Sequence, residues 1–255
     1  MSVGIACISG KGGVGKTTTS ISLAAAIAET GKRVLAIDCD PQANLTSGLG
    51  HDPYGEGPTL TDVLAGRCGA RQAIVPTDWS NLYVLPTTPD LTAVEDQLES
   101  GLDREYALRR AVRDSGAIND YDFVFYDTPP NFGFHTLNAM AATDYVLIPV
   151  QMSGFAIRGL KEVLRSVHLA RNRLNPELAI LGIVPTFVNL RTKFSRQLLE
   201  GLCELASLRV FATIVTPTVK MQETALAGTP ITAYAPASNA AVAYRALAAE
   251  IMASV

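Results

Sequence analysis

Residues 10–17 read Gly10-Lys11-Gly12-Gly13-Val14-Gly15-Lys16-Thr17 and satisfy the pattern G-x-x-x-x-G-K-[ST]. They stand between an apolar run, Val3–Ser9, and a helix-length segment, Thr17–Thr30. A strand feeding a glycine loop that opens a helix is the first βα unit of an α/β sheet, with a phosphate site at the strand's carboxyl end. Glycines allow backbone N–H groups to converge on phosphate oxygens without Cβ obstruction. The first helical turn adds orphan N–H groups and the positive end of the helix dipole. The reading therefore assigns Gly12, Gly13, Val14 and Gly15 to a nucleotide-binding loop. Lys16 is expected to reach the β- and γ-phosphates, Thr17 to offer its hydroxyl to Mg²⁺, and Thr18 to meet the α-phosphate. A glycine-rich turn that merely joins strand to helix is the alternative, and the strand–loop–helix setting outweighs it.

The rest of the chain repeats this alternation. Arg33–Asp38, Phe123–Asp127, Tyr145–Val150, Ile180–Val184 and Val210–Val215 are short apolar runs without polar–apolar alternation, as expected of strands covered on both faces of a parallel sheet. Helix-length segments separate them: Arg104–Ser115, Phe134–Ala142, Arg158–Leu174, Phe194–Leu205 and Ala237–Ala253. The stretch Asn44–Asp90 is less regular, with a short helix expected at Thr59–Ala65 and a strand near Leu82–Leu85. Such alternation makes right-handed βαβ units. Without repeats or linkers, residues 1–255 are read as one P-loop NTPase domain of the α/β class. Its mostly parallel twisted sheet is expected to be flanked by helices on both faces.

Composition narrows the function. With 48% apolar and 18% charged residues, the chain is neither disordered nor fibrous. Its 21 basic and 24 acidic residues leave a net charge of −3, which excludes a strongly cationic nucleic-acid binder but permits a locally basic surface. Cys7, Cys39, Cys68 and Cys203 are widely spaced and form no C-x-x-C pair, so reduced cytosolic thiols are expected and no zinc or redox site. No stretch approaches the ~18 uninterrupted apolar residues of a spanning helix, and no basic segment precedes an apolar run at the N-terminus. Neither a membrane span nor a signal peptide is expected.

A second lysine, Lys11, directly follows the first glycine, where its side chain can point away from its own nucleotide. A solvated surface lysine is the plain alternative. The segment Lys11-Gly12-Gly13-Val14-Gly15-Lys16-Thr17-Thr18 resembles the deviant Walker A motif of the ParA/MinD family of P-loop ATPases. Asp38-Cys39-Asp40-Pro41-Gln42-Ala43-Asn44-Leu45-Thr46 is similar to that family's Walker A′ segment, and Asp127 in Phe-Val-Phe-Tyr-Asp-Thr-Pro-Pro to its Walker B and switch II. Weaker similarity continues through Pro149-Val150-Gln151 to the C-terminus, nearer the short, Soj-like ParA branch than the MinD branch. The resemblance implies an ATPase using ATP and Mg²⁺, in which Lys11 crosses a dimer interface to the nucleotide held by the other copy.

Chemistry at the other strand ends agrees with this. A carboxylate there can hold a water for in-line attack on a γ-phosphoryl group. The resemblance points to Asp40 as the water-orienting residue, with Asp38 beside Mg²⁺; loop capping by both acids is the alternative. Asp127 follows four apolar residues and is expected to be buried, holding Mg²⁺ through a water. Pro129 and Pro130 keep the following chain extended, against a helix N-cap role. The loop Thr128–Phe134 is expected to report the state of the γ-phosphate. Catalytic expectations thus rest on Lys11, Lys16 and Asp40, and metal expectations on Thr17, Asp38 and Asp127.

For the base, Asn189 offers an amide able to pair with adenine, although an asparagine in a loop is commonly a turn former. The resemblance adds the Pro217–Thr218 turn as a wall of the adenine pocket. The G-protein signature N-K-x-D is absent, favouring ATP over GTP. Family membership further implies an ATP-dependent homodimer in the cytoplasm, associated with the nucleoid. It would bind nonspecific DNA and respond to a hydrolysis-stimulating ParB-like or cargo-adaptor protein. The cation candidates for DNA are Arg158, Lys161 and Arg165 on one helix face, Arg191, Lys193 and Arg196 on another, with Lys220 and Arg245. Where many relatives carry an R-x-V-R-like stretch this chain has Pro217-Thr218-Val219-Lys220, and only the second cation remains. Four competing readings are weaker, one of them a nonhydrolytic adaptor, which the presence of Lys16, Thr17, Asp40 and Asp127 disfavours. A MinD-type membrane helix would end in a basic amphipathic segment, whereas residues 241–255 contain one arginine. An iron–sulfur protein would need paired cysteines at a dimer axis. A small-molecule kinase or synthetase would need an acceptor pocket beside the γ-phosphate.

Overall fold

A computed structural model describes residues 2–98, 103–154, 156–204 and 208–255, with the side chains of 203 and 204 outside the description. Its strands are β1 (Val3–Cys7), β2 (Val34–Asp38), β3 (Val75–Pro76), β4 (Leu82–Leu85), β5 (Phe123–Asp127), β6 (Tyr145–Gln151) and β7 (Ala179–Thr186). They form one sheet in the order β3-β4-β2-β5-β1-β6-β7. All neighbours run parallel except β3, which pairs antiparallel with β4.

The strands lack polar–apolar alternation because both faces are covered. Ile5, Cys7, Val34, Ala36, Phe123 and Phe125 point to a core shared with the helices Lys16–Ala28 and Asn239–Met252. Their chain neighbours Ala6, Ile8, Leu35, Ile37, Val124 and Tyr126 point to the opposite core, shared with the helices Phe134–Ala142 and Ala156–Arg173. Successive side chains of a strand leave by opposite faces, so a strand buried twice must be apolar at every position.

Two expected elements take other forms. Val210–Val215 is not a strand: it touches β7 through isolated bridges at Ile183↔Val210 and Thr186↔Val215 only. Pro185 in β7 has no N–H to donate, and the amides of Ala212 and Thr213 turn to the Glu250 carboxylate instead. Within Arg104–Ser115 a 3₁₀ turn, Arg104–Tyr106, precedes a wide π-type helix, Arg109–Asp114. The expected helix end at Leu205 and the thiol of Cys203 lie outside the described residues; Cys7, Cys39 and Cys68 are free thiols. No helix among the described residues is long and apolar enough to cross a membrane.

This order places the carboxyl ends of β1, β2 and β5 side by side. Asp127 is in register with Cys7 on one side and with Asp38 on the other.

Candidate functional site

The glycine loop leaves β1 and turns into the helix Lys16–Ala28 through two residues with left-handed backbone, Gly13 at φ 75° and Gly15 at φ 86°. An L side chain is strained in that region, so the turn needs glycine at both positions. Gly15 closes the first helical hydrogen bond, its carbonyl accepting from Thr19 N–H at 2.8 Å. A tether from the far side of the sheet fixes the loop, with Thr186 Oγ1 donating to the Val14 carbonyl at 2.8 Å. The result is a cavity of about 260 Å³ lined by the loop from Lys11 to Thr18 except Val14, by Asp40, Gln42 and Asn44, and by Pro130. Lys11 is exposed at this cavity, whereas Lys16 is only 7% exposed.

Behind the loop lies Asp127, fully buried at the end of β5. Its Oδ2 accepts from Thr17 Oγ1 at 2.6 Å, its Oδ1 from Ser20 Oγ at 2.9 Å, and Lys16 Nζ stands 3.6 Å from Oδ1. Burial raises the Asp127 carboxyl above its ordinary range, and Lys16 and the two hydroxyls oppose the rise. Ser20 escaped the sequence reading, although it lies four residues after Lys16 on the same helix face. Asp38 is also fully buried, and burial, then the neighbouring Asp127, push its carboxyl up to about 7. Its oxygens are spent on the loop that follows. Oδ2 accepts from Thr46 N–H and Thr46 Oγ1, both at 2.8 Å, and Oδ1 from Asp40 N–H at 3.2 Å. Asp38 therefore shapes the turn that carries Asp40.

That turn bends back at Ala43, with φ 52°, and Asp40 Oδ1 accepts from Gln42 N–H at 3.0 Å. Asp40 thus caps its own loop and also lines the phosphate cavity. With the Asp38 oxygens spent, the donors left at the strand ends are oxygens, the buried Asp127 carboxylate and the Thr17 hydroxyl, which suits a hard divalent cation such as Mg²⁺. Among the described residues no group of three or more acidic, histidine or cysteine side chains is poised around one point. A divalent ion here would draw its remaining ligands from phosphate and water. The expected reporter loop runs past the same cavity: Thr128 Oγ1 is tied to the Cys7 carbonyl at 2.8 Å, Pro130 lines the wall, and Asn131 caps the turn before Phe134.

Next to the phosphate cavity a larger one, about 420 Å³, is lined by Gly15, Thr18, Thr186, Phe187, the segment Val215–Val219, Met221, Gln222 and Tyr244. The expected Pro217 and Thr218 are among its walls. Asn189 is not; its Oδ1 accepts from Arg191 N–H at 3.1 Å and its carbonyl from Thr192, so it builds a turn. Phe187 occupies the wall instead, with left-handed backbone (φ 52°). No sequence spacing signals a phenylalanine in that conformation.

The cations expected at a DNA surface divide. Lys161, Arg165, Arg191, Lys193, Arg196 and Lys220 are exposed. Arg158 is exposed but paired with Glu162 at 3.6 Å, one turn along its helix. Arg245 is a correction: its guanidinium forms a fork on Glu29, at 2.6 and 3.1 Å, and donates to the carbonyls of Pro236 and Thr232. Those bonds join the C-terminal helix to the helix of the glycine loop and consume its donors. Arg245→Ala is expected to lower Tm by about 2–4 °C, the worth of about 1 kcal/mol for a half-exposed pair, and to leave DNA retention intact. Should the chain retain DNA, Lys193→Glu combined with Lys220→Glu is expected to weaken that retention about ten-fold and flatten its salt dependence. Thermal melts and anisotropy titrations across a salt series check both.

Comparison with known proteins agrees with this geometry. A family model described as an AAA domain matches residues 2–180. The sporulation initiation inhibitor protein Soj of Bacillus subtilis is 38% identical over 250 residues, covering 98% of each chain. The chromosome partitioning protein ParA of Myxococcus xanthus is 39% identical over 97% of this chain and 87% of its own. A crystal structure titled cobyrinic acid a,c-diamide synthase, from Mycobacterium smegmatis with bound ADP and magnesium, superposes with a TM-score of 0.86 at 36% identity. It covers 99% of this chain and 94% of that one. On its motifs, its sheet and its relatives along nearly their whole length, the chain belongs to the ParA/Soj family of P-loop ATPases.

Proposed function

We propose that this protein is an ATP-hydrolysing switch. Two copies would clasp two ATP molecules, bind nonspecific DNA over the nucleoid, and position a cargo with a partner protein that stimulates hydrolysis. The observation that carries the reading is a phosphate cavity lined by two lysines, the buried Lys16 beside Asp127 and the exposed Lys11. A second cation at the mouth serves charge compensation from outside.

In this reading the loop amides and Lys16 bind the triphosphate. Thr17 and Asp127 would hold Mg²⁺, which neutralises phosphate charge when bound. Asp40 holds a water in line with the γ-phosphorus. The water oxygen bonds to phosphorus as the bond to the β–γ bridging oxygen breaks; ADP leaves, and the water's protons remain with the released phosphate. The larger cavity between Phe187 and Pro217 would take adenine. Hydrolysis removes the group that two copies share, and so resets the switch.

One specific observation supports a second reading, an ATP-dependent metabolic enzyme. A separate chamber of about 260 Å³ adjoins the phosphate cavity, bounded by Thr17, Asn44, Ser22, Ser47 and Thr224. The similar solved structure titled as a synthase points the same way. Phosphate release measured with and without DNA, together with light scattering with and without ATP, separates the two. Dimers and DNA retention only with ATP are expected. A DNA-insensitive monomer that phosphorylates or condenses a metabolite would replace the switch with the enzyme.

A further inference from the structure

The segment that leads into the wall of the larger cavity is held by the C-terminal helix as well as by the sheet. After Arg209 the chain runs alongside β7 without forming a ladder, pinned near the cavity through Val215. There Val215 N–H donates to the Pro185 carbonyl at 2.9 Å, and its own carbonyl accepts from Val188 N–H at 3.2 Å. Upstream, Phe211 N–H donates to the Ile183 carbonyl at 3.0 Å, and between these two attachments the backbone amides turn to one side chain. The Glu250 carboxylate accepts from Ala212 N–H at 3.0 Å, from Thr213 N–H at 2.9 Å, and from the Thr213 hydroxyl.

Three donors converging on one group demand an acceptor-only partner, which an ionised carboxylate is and a carboxamide is not. The same helix, Asn239–Met252, sets Tyr244 at the cavity, where its hydroxyl is 3.2 Å from Thr19 Oγ1 on the glycine-loop helix. Glu250 and Tyr244 are thus fixed on one rigid rod that is itself packed on the phosphate-binding helix. The rod thus links the phosphate-binding helix to the segment that leads into the wall Val215–Thr218, alongside the attachment of Val215 to β7.

We propose that Glu250 is a positioning residue for nucleotide-base recognition: through Ala212 and Thr213 it holds the Pro217–Thr218 wall at the spacing a purine needs. The inference rests on the reading that this cavity takes the base of ATP. It assigns Glu250 no part in binding the phosphates, which meet the chain on the other side of Gly15 and Thr18.

The test compares a ligand that has a base with one that lacks it. Wild type and Glu250→Gln are titrated calorimetrically with ATP and with inorganic tripolyphosphate, both in the presence of magnesium. Glu250→Gln places an NH₂ group against amide donors and is expected to lose about ten-fold in ATP affinity, the worth of about one such hydrogen bond, with no change for tripolyphosphate. Thr213→Val removes one donor at constant shape and is expected to lose about three-fold, again for ATP alone; it serves if Glu250→Gln does not fold. Equal losses for both ligands would reduce Glu250 to a fold clamp and overturn the proposal, as would undiminished ATP affinity in both variants. A wild type that binds ATP no better than tripolyphosphate would instead remove the base from this cavity, and the proposal with it.

Discussion

Lys11→Ala is expected to abolish ATP-dependent dimerisation and lower turnover by about 10³-fold, while the monomer still binds ATP. The inner lysine, Lys16, is buried with Asp127 and is held in place by its own chain. Lys11 lies outside that arrangement, on the exposed rim. A cation delivered to a γ-phosphate across an interface resembles the arginine finger of other P-loop enzymes, worth about 10³–10⁵ in rate. In the proposed dimer it would have a second task, since two triphosphates facing one another would repel and ammonium groups exchanged between copies would offset that repulsion. Lys11→Arg keeps the charge and is expected to retain dimers that Lys11→Ala loses. Light scattering with ATP and phosphate-release assays read the two effects. An alanine variant that dimerises and turns over normally would make Lys11 an ordinary surface lysine.

The second large effect has the opposite sign for the assembly. Asp40→Asn is expected to slow hydrolysis by about 10²–10³-fold and to lengthen, not shorten, the lifetime of the dimer and its hold on DNA. Asparagine is the better variant because Asp40 also caps its own turn by accepting from Gln42 N–H. Its carboxamide oxygen keeps that bond and removes only the charge. Asp40→Ala removes both and is expected to cost about 1 kcal/mol of stability besides. Single-turnover assays and dissociation of the ATP-loaded complex from DNA measure the outcome. Fast hydrolysis in Asp40→Asn would return the residue to a loop-capping role. Taken together, the two substitutions separate assembly from reset: one should leave monomers, the other arrested dimers.

The strand ends show how closely a local role and a site role can coincide. Asp38 and Asp40 were candidates both for metal and water chemistry and for loop capping, and the geometry supports capping by each. Asp38 receives Thr46 and the Asp40 amide, while Asp40 receives Gln42 and still lines the cavity. Capping fixes the loop, and a fixed loop is what in-line positioning requires. Asn189 shows the reverse. Its turn consumes the amide oxygen, and Phe187, two residues earlier, takes the wall.

The glycine loop, the doubly buried strands and the aspartates at their ends are legible along the chain. Each is set by local physics: left-handed backbone at Gly13 and Gly15, apolar side chains at every position of a covered strand, a carboxylate where such a strand stops. Tertiary structure alone decided the rest. The Thr186 tether to Val14 spans 172 residues and the Arg245 fork on Glu29 spans 216, and no pattern along the chain encodes which distant group a donor will meet. For the same reason Val210–Val215, apolar enough for a strand, runs beside β7 with an interrupted ladder and leads into the cavity wall. A proline in its neighbour broke the ladder, and a glutamate on the last helix offered its amides a better partner.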